Sequence, residues 1–190
     1  MSYSWLPFNS DDFKSTMGLE VRVNILVCGF MGCGKTTFVE AFQRNHLGYE
    51  ALDLDTAVAL SVGLLPSELG EWINKHGLEV FRHKESLLLS EMLSTASPKI
   101  IALGGGTIEA PGFWDLAKKH KLVFLDVPFE TCFERIKNDS NRPQTKLGEV
   151  GLRSLYQKRL PLYQKADLHL SQEGIKKIVS LSSLVHNLEG

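Results

Sequence analysis

The sequence has no apolar run long enough to cross a bilayer. Charge of neither sign is in excess, since 21 Lys and Arg stand against 22 Asp and Glu for a net charge of −1. That balance supplies no field for nucleic acid or an anionic membrane, so neither is expected as a partner. The short cluster Lys118, Lys119, His120 and Lys121 reads as a solvated helix end, with a phosphate-binding patch as the alternative. Cysteine is scarce: Cys28, Cys33 and Cys132 are odd in number, widely spaced and without a C-x-x-C pair. This argues against a disulfide scaffold and for a reducing, cytoplasmic location. Six histidines include no H-E-x-x-H or similar spacing, so no dedicated zinc site is expected. Residues 1–22 have neither the apolar core of a secretion signal nor the arginine-rich, acid-poor character of an organelle transit sequence, and read as an N-terminal extension. The remaining residues, 23–190, suffice for one core but not for two α/β domains.

What the chain does contain is organised around GFMGCGKT, Gly29 to Thr36, which fits G-x-x-x-x-G-K-[ST] at every fixed position. VNILVC before it, Val23 to Cys28, is β-branched and apolar, as in a strand buried on both faces. After it, Phe38, Ala41 and Phe42 recur at helical spacing within Thr36 to Asn45. Between a strand and a helix, such a loop turns its backbone N–H groups toward phosphate oxygens, and its lysine reaches the β- and γ-phosphates. The expected nucleotide-binding set is Gly29, Met31, Gly32, Cys33, Gly34, Lys35, Thr36 and Thr37, with the Thr36 hydroxyl on Mg²⁺. Cys33 lies beside a helix N-terminus and Lys35, both of which favour thiolate, although a small residue that fits the loop is the simpler reading.

Other groups gather where parallel strands should end, the edge that forms the ligand crevice of an open α/β sheet. YEALDLD, Tyr49 to Asp55, reads as a strand ending in Asp53 and Asp55. These acids suit a hydrated Mg²⁺ and an attacking hydroxyl, or Asp55 caps a helix that starts at Thr56. Helices are expected over Pro66 to Asn74 and Gly77 to Ser94; in the second, Arg82 and Glu85 form either a surface ion pair or a carboxylate-held guanidinium aimed into a cleft. A strand from Lys99 to Leu103 runs into Gly104, Gly105 and Gly106, which expose backbone N–H groups and admit a ligand closely. A helix over Pro111 to Lys119 and a strand over Leu122 to Asp126 follow, then an amphipathic helix over Phe129 to Ile136. Asn138 to Gly151, rich in turn formers and carrying Arg142, reads as a lid loop. Leu152 to Ala166 reads as a helix broken or kinked at Pro161, and a strand over Asp167 to Leu170 and a helix over Glu173 to Leu188 close the fold.

In order and spacing, GFMGCGKT, LDLD (Leu52 to Asp55), FRHKE (Phe81 to Glu85), LGGG (Leu103 to Gly106), RP (Arg142 and Pro143) and RLPLY (Arg159 to Tyr163) resemble the shikimate kinase family. The resemblance covers Val23 to Leu188 and implies a three-layer α/β P-loop fold with a five-stranded parallel sheet in order 2-3-1-4-5. It implies that Mg²⁺ and ATP serve the reaction, with shikimate as acceptor and a monomeric protein. Position by position it makes Lys35, Asp55 and Arg142 catalytic and puts Asp53 on the Mg²⁺ shell through water. Arg82 and Arg159 grip the acceptor carboxylate, Glu85 orients Arg82, Gly104 to Gly106 line the same pocket, and Arg135 lies against adenine. The chain departs from the family pattern at Gln144 and Thr145, where two leucines usually follow Arg-Pro, at Leu78, and at SQEG, which lacks a proline that often backs the base. A gluconate-type sugar-acid kinase and a nucleotide-binding module without catalysis are the competing readings.

Overall fold

The structure, a computed structural model, describes residues 23–46, 48–139 and 142–179. The expected N-terminal extension and the end of the last expected helix lie outside the described residues. Five parallel strands form one sheet: β1 (Ile25–Cys28), β2 (Glu50–Asp53), β3 (Lys99–Ala102), β4 (Lys121–Asp126) and β5 (Leu168–Ser171). Their order is β2-β3-β1-β4-β5, as the resemblance implies. The helices are α1 (Lys35–Asn45), α2 (Leu54–Ser61), α3 (Leu69–His76), α4 (Leu78–Ser94), α5 (Phe113–Ala117), α6 (Phe129–Ile136) and α7 (Gly148–Tyr163). Short 3₁₀ turns cover Pro66–Glu68, Thr107–Glu109 and Pro143–Leu147, and residues 172–179 are helical.

The centre of the sheet follows directly from composition. Ile25, Leu26 and Val27 of β1 and Ile100 and Ile101 of β3 have no exposed surface, because helices cover both faces of a parallel sheet. From α1, Phe38, Val39, Ala41 and Phe42 pack onto this core. A second, smaller cluster of Val58, Ala59, Leu69 and Phe81 joins α2, α3 and α4 to one side. The strand register aligns the carboxyl ends: Asp53 pairs with Ala102, and Cys28 with Phe124. The P-loop, the acids after β2 and the glycines after β3 therefore leave the sheet at one edge.

Several expected boundaries move for identifiable reasons. β2 stops at Asp53, whose side chain accepts a hydrogen bond from the Thr56 N–H at 3.0 Å, so Asp53 caps α2 and Asp55 does not. Asp55 occupies the first turn instead. Helix α7 starts at Gly148, inside the segment expected to be a polar loop, and continues through Pro161 to Tyr163. The helix over Pro111 to Lys119 contracts to the single turn and a half of α5.

Candidate active site

A cleft of about 1010 Å³ opens at the carboxyl edge of the sheet. Its donor half is built by the P-loop and α1. Gly34, in the left-handed region at φ 96°, caps α1 with no side-chain hydrogen bond, so the first N–H groups of the helix remain open to an anion. The Lys35 ammonium donates to the carbonyls of Gly29 at 2.9 Å and Phe30 at 3.1 Å, curling over the loop it belongs to. The Thr36 hydroxyl donates to Asp53 Oδ2 at 2.6 Å, so the two side chains expected to serve the metal already touch. Arg135, from α6, donates to the Gly32 carbonyl at 2.8 Å and borders the cleft beside Ile136 and Ile175. Cys33 is buried, which supports its reading as a small residue that fits the loop, and its sulfur lies 3.8 Å from Lys35 Nζ. Burial pushes the thiols of Cys28 and Cys132 up to about 12, so neither is a nucleophile at neutral pH.

The acceptor half lies across the glycines. Arg82 is ion-paired to Glu85, whose carboxylate has no exposed surface, and Glu85 also accepts from the Thr107 hydroxyl at 2.7 Å. A surface ion pair is thereby excluded: Glu85 sits behind Arg82 and holds its guanidinium at the cleft wall. Arg159, on α7, is held in the same manner by Glu109, with Nε 2.8 Å and Nη2 2.7 Å from Glu109 Oε2. Its remaining terminal nitrogen, Nη1, is buried and without a hydrogen-bond partner. Leaving such a donor unpaired is costly, which marks the place where an anion belongs.

The glycines are required by contact. A Cβ on Gly106 would strike Nη2 of Arg82 and come within 2.5 Å of Nη2 of Arg159; one on Gly104 would strike Glu85 Oε1 and lie 2.9 Å from Asp55 Oδ1. The Gly105 carbonyl is fixed by the Tyr163 hydroxyl at 2.5 Å. Asp55 faces this pocket, and burial first, then the Glu85 and Asp53 carboxylates, push its carboxyl up to about 6 against the opposing pull of Lys35 and Arg142. Above the cleft, Arg142 Nε donates to Asp139 at 2.8 Å, and the Thr145 hydroxyl reaches the carbonyls of Arg142 at 2.7 Å and Asp139 at 3.1 Å.

Of the expected catalytic, substrate-, nucleotide- and metal-binding residues, Gly29 and Glu85 alone do not line the cleft, Glu85 because it stands behind Arg82. Asp126, which ends β4, is exposed and lies off the cleft. Sequence reading missed Thr107, Glu109, Asp139 and Tyr163. Glu109 carried one usable signal: an acid three residues beyond the glycine triplet in a chain whose second arginine lacked a partner.

The shikimate kinase family model matches residues 31–189. A shikimate kinase of Nostoc punctiforme is 37% identical over 155 residues, covering 80% of this chain and 83% of that protein. One from Thermodesulfovibrio yellowstonii is 35% identical over 158 residues, covering 80% and 87%. Among solved structures, the shikimate kinase from Acinetobacter baumannii in complex with shikimate superposes with a TM-score of 0.74 at 30% identity, covering 90% of this chain and 97% of that one. A phosphate cradle facing two carboxylate-braced arginines, together with a family match over most of the sequence, makes this chain a member of the shikimate kinase family.

Proposed function

We propose that this protein transfers the γ-phosphoryl group of ATP to a hydroxyl of shikimate, with the residues of the cleft acting as follows. The single observation that carries the acceptor assignment is the unpartnered Arg159 Nη1, beside Arg82 and across the glycines from Asp55. Two planar guanidinium groups held from behind suit a carboxylate, and an acid on the far side suits the reacting hydroxyl. Asp55 accepts the hydroxyl proton as that oxygen bonds to the γ-phosphorus. The bond from γ-phosphorus to the β,γ-bridging oxygen breaks, and ADP leaves with that electron pair.

Lys35 exchanges the carbonyls of Gly29 and Phe30 for phosphate oxygens, and Arg142 meets charge on the transferring group from the lid side. The hard oxygen donors of Thr36 and Asp53, in contact at the phosphate end, fit Mg²⁺, Thr36 directly and Asp53 through water. The ion would supply neutralisation of phosphate charge. Residues 23–190 act as one catalytic domain with its lid near 138–151.

A coupled ADP-release assay with shikimate, gluconate and nucleoside monophosphates as separate acceptors tests the reading. Turnover with shikimate and background rates with the others are expected. Turnover with gluconate alone would transfer the site to a sugar acid, and ADP binding without any turnover would leave a nucleotide-binding module.

A further inference from the structure

The 3₁₀ turn Thr107–Glu109, immediately after the glycine triplet, supplies a brace to each of the two arginines. Thr107 acts on Arg82 at one remove, through Glu85. Glu109 acts on Arg159 directly, engaging Nε and Nη2 and leaving Nη1 as the free end of the fork. Lys158 stands 2.9 Å from Glu109 Oε1 on its outer side, so both carboxylate oxygens are occupied. Burial opposes ionisation of Glu109, yet the Lys158 hydrogen bond and the Arg159 charge hold its carboxyl below the ordinary range. The carboxylate is therefore charged at neutral pH, where it engages Arg159 through Nε and Nη2.

We infer that Glu109 is a positioning residue that sets recognition of the acceptor's carboxylate, by fixing the orientation in which Arg159 presents Nη1 to the cleft. The inference rests on the assignment of Arg159 to that carboxylate. Only Nη1 is free, so a single roll of the guanidinium would replace a donor aimed at the ligand with one aimed at the cleft wall. A role through charge alone has the opposite sign. Removing a negative charge from beside an anion site tightens anion binding, whereas removing a brace weakens it.

The test pairs Glu109→Gln and Glu109→Asp with two acceptors, shikimate and its carboxamide analogue, in which the carboxylate is neutral. Glu109→Gln should raise KM for shikimate about tenfold, the effect of misaiming one charge-assisted hydrogen bond, with kcat and ADP affinity nearly unchanged. The preference for carboxylate over carboxamide, read as the ratio of kcat/KM values, should shrink by the same factor, and Glu109→Asp should recover part of it. A general loss of packing would lower both acceptors alike and leave the ratio intact. Should Glu109→Gln fail to fold, the Asp variant carries the same readout through its shorter reach. Arg159→Lys is measured alongside. If it shrinks the ratio while both Glu109 variants leave it unchanged, the role of Glu109 is wrong and the Arg159 assignment stands. If Arg159→Lys also leaves the ratio unchanged, the assignment of Arg159 itself fails.

Discussion

At Asp55, burial and the neighbouring carboxylates of Glu85 and Asp53 raise the carboxyl from 3.8 to about 6, so the folded protein holds a charge there that the unfolded chain holds more easily. Because the folded value lies above the unfolded one, the resulting destabilisation is absent below about pH 4 and complete above about pH 6. Asp55→Asn should therefore stabilise the nucleotide-free protein by about 1–3 kcal/mol at pH 7.5, seen as a rise of a few degrees in Tm, while abolishing turnover. At pH 4 the two proteins should melt together in the absence of Mg²⁺; an equal difference at both pH values would separate the gain from ionisation. The glycines give a second test at the same scale. Gly106→Ala pushes a methyl group into the two guanidinium ends, 2.5 Å from Arg159 Nη2, and should raise KM for shikimate by about 100-fold. ADP affinity, measured by titration, should be unaffected, because the P-loop makes no use of that position.

The segment proposed as a lid is an element whose parts hold one another. Arg142 is tied to Asp139, Thr145 bridges the two carbonyls that begin and end this turn, and the 3₁₀ segment after Pro143 packs on α3 and α7. Arg142→Ala should lower kcat by at least about 100-fold and leave KM for shikimate within a few-fold, as expected of a group that acts on transition-state charge. Thr145→Val should reproduce a small part of this, about 3- to 10-fold in kcat, by loosening the turn that aims Arg142. The Thr145 bonds explain how this chain tolerates a polar pair where leucines are usual: hydroxyl-to-carbonyl bonds stand where apolar packing would. The same region shows what sequence could and could not supply. GFMGCGKT was legible because its function is local, with strand, loop and helix contiguous. The start of α7 at Gly148 was not, because its first turn carries Glu149 and the exposed Val150 and has no apolar face to reveal a helix. Glu109 was hidden for another reason, since its partner lies fifty residues away and only the fold brings them together. That Asp53 and not Asp55 caps α2 turned on two residues of strand length, which a period-two pattern does not resolve.

In the whole molecule the site joins two bodies of unequal strength. The donor half stands on the main core of the sheet and α1, while α2 and α4, which reach that core through Leu54 and Leu89, share with α3 the small cluster of Val58, Ala59, Leu69 and Phe81. Backbone amides of α2 and α3 should therefore exchange with deuterium well before those of β1, β3 and β4, and shikimate should slow the former selectively. Uniform exchange across both bodies, or protection of the sheet alone, would contradict this division. Helix α7 spans the same division in another way. It leaves the lid at Gly148 and ends at Tyr163, whose ring stacks on Phe124 and whose hydroxyl is fixed to Gly105. Between those ends Leu152 is buried in the main core, Arg153 bonds Glu130 with its guanidinium over the Phe129 ring, and Tyr156 packs on Phe30 and Phe129, so the helix is held along its length. The segment that follows Arg142 and the arginine that faces the glycines are thus two ends of one fixed rod of about 24 Å.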